Sequence, residues 1–297
     1  MKIESILSNY NHNNAGCKKN LATLLTHGKL SGTGKLIILP VDQGFEHGPE
    51  ESFAKNPSAY DPEYHIRIAT EAGLSAYAAP IGMIQDVAHK YPGKIPLILK
   101  LNSSSKLFPK SDQPSQAFCS TPKQALELGC VGVGMTLYPG SSFYKQMLQE
   151  VSSVIKKAKS YGLVTVVWCY PRGGDLKKKD ETALDVISYS AHIACLIGAD
   201  IIKVKTPADY CLKDKELFFS TSELSERVKA IKRSCFDGKR LVLFSGGESK
   251  KTEDFYQEIT QIKKGGADGS IIGRNVFQRP KQEALDMLQK IVEIYKN

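Results

Sequence analysis

Hydrophobic and polar positions along the chain fall into a repeating order: a short β-branched run that closes on polar or glycine residues, then a longer amphipathic stretch, then another run. Runs of this kind predict strands at 36–42, 75–79, 95–101, 130–137, 163–170, 200–205, 240–245 and 269–272. Helical spacing predicts helices at 63–72, 83–91, 121–128, 141–160, 182–196, 222–233, 251–264 and 281–295, with a shorter one at 21–27 ended by Gly28. Thr121 followed by Pro122 reads as an N-cap and a first-turn proline, and 222–226 supplies polar caps with early acidic side chains. Strand and helix in alternation argue for a parallel sheet covered by helices. Eight such units closing on themselves make the α/β architecture of the (β/α)8 TIM barrel. The rival is an open doubly wound sheet, which carries a glycine fingerprint after its first strand. Here that place holds Asp42-Gln43-Gly44-Phe45-Glu46-His47-Gly48. The expectation is a single domain over 1–297, with 1–34 as an N-terminal helical and loop extension.

In a barrel the chemistry gathers at the C-terminal ends of the strands, so the residues that close each run become the candidates. The sixth run, Ala199-Asp200-Ile201-Ile202-Lys203-Val204-Lys205-Thr206, sets two lysines inside an apolar strand. Period-two alternation turns Lys203 and Lys205 to one face and Ile202 and Val204 to the other. Burial, and a like charge roughly 6–7 Å away, both lower a lysine pKa and leave a nucleophilic amine. The plainer alternative is a strand end whose lysines reach water. The first run closes on Asp42, a carboxylate suited to act as base, as ion-pair partner of a lysine or as a helix cap, and His47 follows in the loop. Lys100 shares its face with Asn102 in the third run. Trp168 and Tyr170 share a face in the fifth, with Arg172 at the rim; such aromatics either pack or, through the tyrosine hydroxyl, carry protons. After the seventh and eighth runs stand Ser245-Gly246-Gly247 and Gly273-Arg274-Asn275. Barrels bind phosphate with these two loops, where glycine lets backbone amides approach the oxygens and arginine adds charge. The glycine-rich stretch Ser31-Gly32-Thr33-Gly34-Lys35 is not a nucleotide-binding P-loop, because Leu36 stands where a magnesium-binding Ser or Thr is required.

Composition narrows the partners. The net charge is +9, from 40 Lys and Arg against 31 Asp and Glu, which suits anionic ligands. Basic residues are scattered, and the one run longer than a pair, Lys177-Lys178-Lys179, has no interleaved aromatics, so it reads as a solvated loop and not as a nucleic-acid surface. Seven cysteines without a CxxC pair imply a reducing compartment, and the six histidines show no metal-ligand spacing. No segment approaches the roughly 18 apolar residues of a membrane span, and the N-terminal stretch resembles neither a signal peptide nor an anchor. A cytoplasmic protein without membrane or nucleic-acid partners, needing no metal or other cofactor, is expected. Barrels often associate, which adds the expectation of a homo-oligomer.

Six motifs in chain order then carry a resemblance. Pro40-Val41-Asp42-Gln43-Gly44-Phe45-Glu46-His47-Gly48-Pro49, Leu137-Tyr138-Pro139-Gly140-Ser141, Trp168-Cys169-Tyr170-Pro171-Arg172-Gly173, the lysine-bearing sixth run, Ser245-Gly246-Gly247 and Gly273-Arg274-Asn275 together resemble the archaeal-type class I fructose-bisphosphate aldolases. The resemblance implies a Schiff-base lyase acting on a phosphorylated sugar without a metal, with Lys203 as the covalent lysine, Tyr170 as proton donor and Asp42 as the strand-one carboxylate. It implies substrate contacts from Gln43, His47, Lys100, Trp168, Arg172 and Lys205. Ser245, Gly246, Gly247, Gly273 and Arg274 would hold one phosphate. Lys205 would bias the pKa of Lys203. Gln43 stands where relatives often carry histidine. A sibling Schiff-base thiolase or transaldolase on another ketose phosphate, and a non-catalytic phosphosugar-binding barrel, are the alternatives at this stage.

Overall fold

The computed structural model describes residues 2–107, 113–214, 216, 222–246 and 251–297. Eight parallel strands close into a barrel: β1 Leu36–Pro40, β2 Ala76–Pro80, β3 Leu97–Lys100, β4 Gly132–Leu137, β5 Val164–Cys169, β6 Ile201–Val204, β7 Leu241–Ser245 and β8 Gly269–Ile271. Each pairs with its neighbour in sequence, and β1 closes the ring against β8 through Leu36 opposite Gly269. The barrel is the (β/α)8 fold that the alternating pattern predicts. The strands are largely apolar on both faces because one face meets the helices and the other fills the barrel. Ile37, Leu39 and Val41 pack outward in the larger apolar cluster, while Leu36 and Ile38 point inward with Ile98, Val164, Val166, Ile201, Leu241, Leu243 and Ile271.

Helices cover the outside, among them Pro62–Glu71, Tyr144–Ser160, Leu184–Leu196, Leu224–Ser234, Thr252–Lys264 and Lys281–Lys296. In Tyr144–Ser160 the buried side chains Met147, Val151, Ile155 and Ala158 recur at helical spacing, which lays one stripe on the sheet. Burying each of the three large ones contributes about 1.5–3 kcal/mol. The helix Pro122–Glu127 starts on a full capping box, Thr121 with Gln124. The cap expected at 222–226 differs: Leu224–Ser234 follows Glu223, which makes no side-chain cap bond.

Two further departures from the sequence reading shape the molecule. The helix expected at 21–27 runs Ala15–Thr26, after a shorter one at Lys2–Ser8, and its Leu21, Leu24 and Leu25 join Tyr10 to close the bottom of the barrel. Tyr10 donates to the carbonyl of Asp200 at 2.7 Å and accepts from the amide of Leu241 at 3.0 Å, which ties the plug to β6 and β7. At the opposite end, the segment expected as a loop after β1 forms two short helices, Gln43–His47 and Pro49–Phe53. With the bottom sealed by apolar side chains, the open end of the barrel is the C-terminal one.

Candidate active site

The strand ends meet around a cavity of about 440 Å3 at that open end. Asp42, Gln43, Glu46, His47, Trp168, Tyr170, Arg172, Lys203, Lys205, Ser245, Gly246, Gly273 and Arg274 line it, so the predicted residues from strands one, five, six, seven and eight share one space. Lys100 sits just beneath, with its ammonium 3.8 Å from Asp42. Gly247 lies outside the described residues.

Lys203 stands in register with Trp168 on β5, and its ammonium lies 5.1 Å from the Trp168 ring centre and 5.6 Å from that of Tyr170. The tryptophan fits because position 134, on the neighbouring strand, is glycine. A Cβ there would come within 2.4 Å of the indole. Lys203 is 5% exposed, and burial pulls its pKa from 10.5 down to about 8. The charges of Lys100 and Arg274 push the same way, and the carboxylates of Asp42 and Glu46 oppose them. With a pKa of about 8, Lys203 is free amine in roughly a tenth of molecules at pH 7.

The expected role of Lys205 as the neighbouring charge that depresses Lys203 is corrected by the geometry. Lys205 lies past the end of β6 and donates to Glu181, so its ammonium is held toward that carboxylate. Of the like charges acting on Lys203, Lys100 comes ahead of Arg274, and its ammonium also lies over the Trp168 ring, 5.6 Å from the ring centre. Lys100 is itself buried, donates to Asn102, and has its pKa lowered by that burial.

Burial, with Asp42 and Glu46 nearby, drives the pKa of Tyr170 well above 10, so its hydroxyl stays protonated. Glu46 is a site residue the sequence reading passed over. It accepts from the Tyr138 hydroxyl at 3.2 Å, and although burial opposes this, Arg172, Lys100 and His47 hold its carboxyl below the usual range. Its position three residues after Gln43 is the signal: once 43–47 is read as a helix, both side chains fall on one face. Tyr138 links the wall further, accepting from Gln116 at 2.6 Å and from Arg172 at 3.2 Å. Gln43 Oε1 and Trp168 Nε1 are buried without a hydrogen-bond partner among the described residues, which leaves both available to a polar ligand.

On the far side, Gly246 and Gly273 bring backbone into the cavity. A Cβ on Gly273 would stand 2.9 Å from the Pro40 carbonyl. Asn275 secures the pair by donating to the carbonyl of Gly246 at 3.0 Å, and Arg274 adds its guanidinium to the lining. Across the cavity, Arg172, Lys178 and Lys205 make a second cationic group. Lys178 was expected in a solvated run; it is largely exposed and still reaches the rim. The buried amine of Lys203 thus shares one cavity with the Gly246, Gly273 and Arg274 wall and with the second cationic group. Among the described residues, no three His, Cys, Asp or Glu side chains gather where they could hold a metal ion.

Comparison with known proteins agrees with this chemistry. The model of the DeoC/LacD family of aldolases matches residues 36–279. A fructose-bisphosphate aldolase class 1 of Thermoproteus tenax is 38% identical over 262 residues, covering 88% of this chain and 89% of the relative. A probable fructose-bisphosphate aldolase class 1 of Chlamydia muridarum is 37% identical over 299 residues, covering 93% and 84%. Among solved structures, an archaeal fructose-1,6-bisphosphate aldolase with its catalytic lysine bound to the carbinolamine intermediate superposes with a TM-score of 0.79 at 33% identity, covering 94% of this chain and 99% of the other.

Proposed function

The chain belongs to the DeoC/LacD family of aldolases, and from that premise we propose that it is a class I fructose-bisphosphate aldolase, cleaving fructose 1,6-bisphosphate to dihydroxyacetone phosphate and glyceraldehyde 3-phosphate and catalysing the reverse. The observation that carries the reading is the amine of Lys203, buried against Trp168 and Tyr170 between two anion-accepting walls. Free Lys203 attacks the C2 carbonyl, and loss of water from the carbinolamine gives an iminium. Removal of the C4 hydroxyl proton breaks the C3–C4 bond, and its electron pair moves into the iminium to form an enamine. Glyceraldehyde 3-phosphate leaves, the enamine takes a proton at C3, and water releases dihydroxyacetone phosphate and the amine. Tyr170 is placed for the proton transfers. Asp42, near Lys100 and acting electrostatically on Lys203, orients the carbinolamine. Ser245, Gly246, Gly273 and Arg274 take the phosphate at C1, and Arg172, Lys178 and Lys205 take the one at C6, with Gln43, His47 and Lys100 along the chain between.

Borohydride reduction in the presence of dihydroxyacetone phosphate, followed by peptide mapping, tests the reading. The peptide holding Lys203 should carry the reduced adduct, and an adduct on another lysine, or none, would sink it. Cleavage should also persist in excess chelator, since the iminium is the electron sink. Six of the seven cysteines are buried as small apolar side chains, which supports a reducing, cytoplasmic setting. Among the described residues no helix is long and apolar enough to cross a membrane. Tyr189 and Leu196 stand exposed two turns apart on one helix, which supports association of copies of the chain, measurable by light scattering.

A further inference from the structure

The cationic wall formed by Arg172, Lys178 and Lys205 rests on one carboxylate that the cleavage chemistry leaves without a task. Glu181 sits in the tight turn Asp180–Thr182 between β5 and the next helix, with its side chain 9% exposed. One oxygen, Oε2, serves all three cations: it accepts from Lys205, stands 3.4 Å from Lys178 Nζ and lies 3.7 Å from Arg172 Nε. The three cations line the cavity and Glu181 does not, so the carboxylate is set back from the space a ligand would fill. Three cations stand against one carboxylate at this turn, and the excess positive charge suits a phosphoryl anion.

We propose that Glu181 is a positioning residue that regulates the charge of the distal phosphoryl subsite: it holds Lys205 and Arg172 in place while the site is empty and competes for them when it is filled. The inference rests on the proposed reading that this wall receives the C6 phosphate. Its consequence is specificity with release. The wall orients a sugar phosphorylated at its far end, and the carboxylate behind it keeps that subsite from trapping the phosphorylated aldehyde product. A charge removed at this distance across a half-buried wall changes the affinity for an anion by roughly tenfold.

The test uses the full chain and inorganic phosphate as probe, by calorimetry and by competitive inhibition. Glu181→Gln should bind phosphate about tenfold more tightly. Its KM for fructose 1,6-bisphosphate should fall together with kcat, as product release slows. For fructose 1-phosphate, which lacks the distal group, KM should move by less than about twofold. In a Lys205→Met background the effect of Glu181→Gln on phosphate affinity should shrink below about twofold. Weaker phosphate binding in Glu181→Gln, an equal KM change for both sugars, or an effect that survives Lys205→Met would overturn the proposal. Should Glu181→Gln fail to fold, Glu181→Asp carries the test: its shorter side chain withdraws from Lys205, so phosphate affinity must rise, and a fall refutes the idea. Absence of cleavage by the unaltered protein would sink the aldolase reading, whereas the phosphate titration needs no turnover and still decides about Glu181.

Discussion

Replacing Lys203 by methionine should abolish cleavage and make the fold more stable. The unfolded chain holds the Lys203 proton up to pH 10.5, while burial in the barrel releases it at about 8. That difference, at 1.36 kcal/mol per pH unit, amounts to about 3 kcal/mol of native-state penalty when the amine is charged. The sign follows from proton counting. Below pH 8 both states are protonated and the penalty is complete; between 8 and 10.5 the unfolded state binds more protons, so stability rises with pH until the penalty is gone. Methionine has nearly the same length, carries no charge and packs well against an indole. Asp42 keeps Lys100, and Glu46 keeps Arg172 and Lys100, so removing Lys203 leaves neither carboxylate without a cation. Urea denaturation of both proteins at pH 7 and pH 10 measures the effect. Lys203→Met should be more stable by about 3 kcal/mol at pH 7, and the gap should shrink to about 1 kcal/mol at pH 10. A variant less stable than its parent at pH 7, or a gap that ignores pH, would refute the account of a desolvated ammonium.

Three other outcomes follow from the same geometry. Tyr170→Phe should cut cleavage by about 10²–10⁴ while the borohydride adduct on Lys203 still forms, because imine formation needs the amine and bond cleavage needs the proton carrier. In the pH profile of kcat/KM, the rise with apparent pKa about 8 should move down by about one unit in Asp42→Asn, since the Asp42 carboxylate opposes the burial that depresses Lys203; an upward move would contradict this. Gly134→Ala should cost about 1–3 kcal/mol and shift the fluorescence of Trp168, the chain's one tryptophan, because the added methyl lands on the indole; unchanged emission would show that the site repacks freely.

How far the site was readable depends on where each side chain gets its orientation. Lys203, Trp168, Tyr170, Asp42 and Lys100 lie on or beside strands, where period two fixes the face, and the barrel assigns that face to the cavity. Ser245, Gly246, Gly273 and Arg274 follow from strand order alone. Glu46 escaped because a five-residue helix stands where the glycine-rich segment suggested a loop, so its turn toward Arg172 could not be inferred from alternation. Glu181 escaped for another reason. It lies beside Lys177-Lys178-Lys179, a stretch whose charge density reads as solvated, and only the folded turn buries its carboxylate against three cations. The two lysines of the sixth run show the same limit, since periodicity makes Lys203 and Lys205 equivalent.

By itself the sequence determined the barrel, the order of its strands and the set of side chains brought to one end, because the alternation of short apolar runs with amphipathic stretches is written residue by residue. Only the tertiary structure separates the two amines by their surroundings. A pKa depends on what lies within a few ångströms, and those neighbours come from distant parts of the chain. Trp168 packs against Lys203 and Lys100 lies over the same indole, while Glu181 accepts from Lys205 two residues further along.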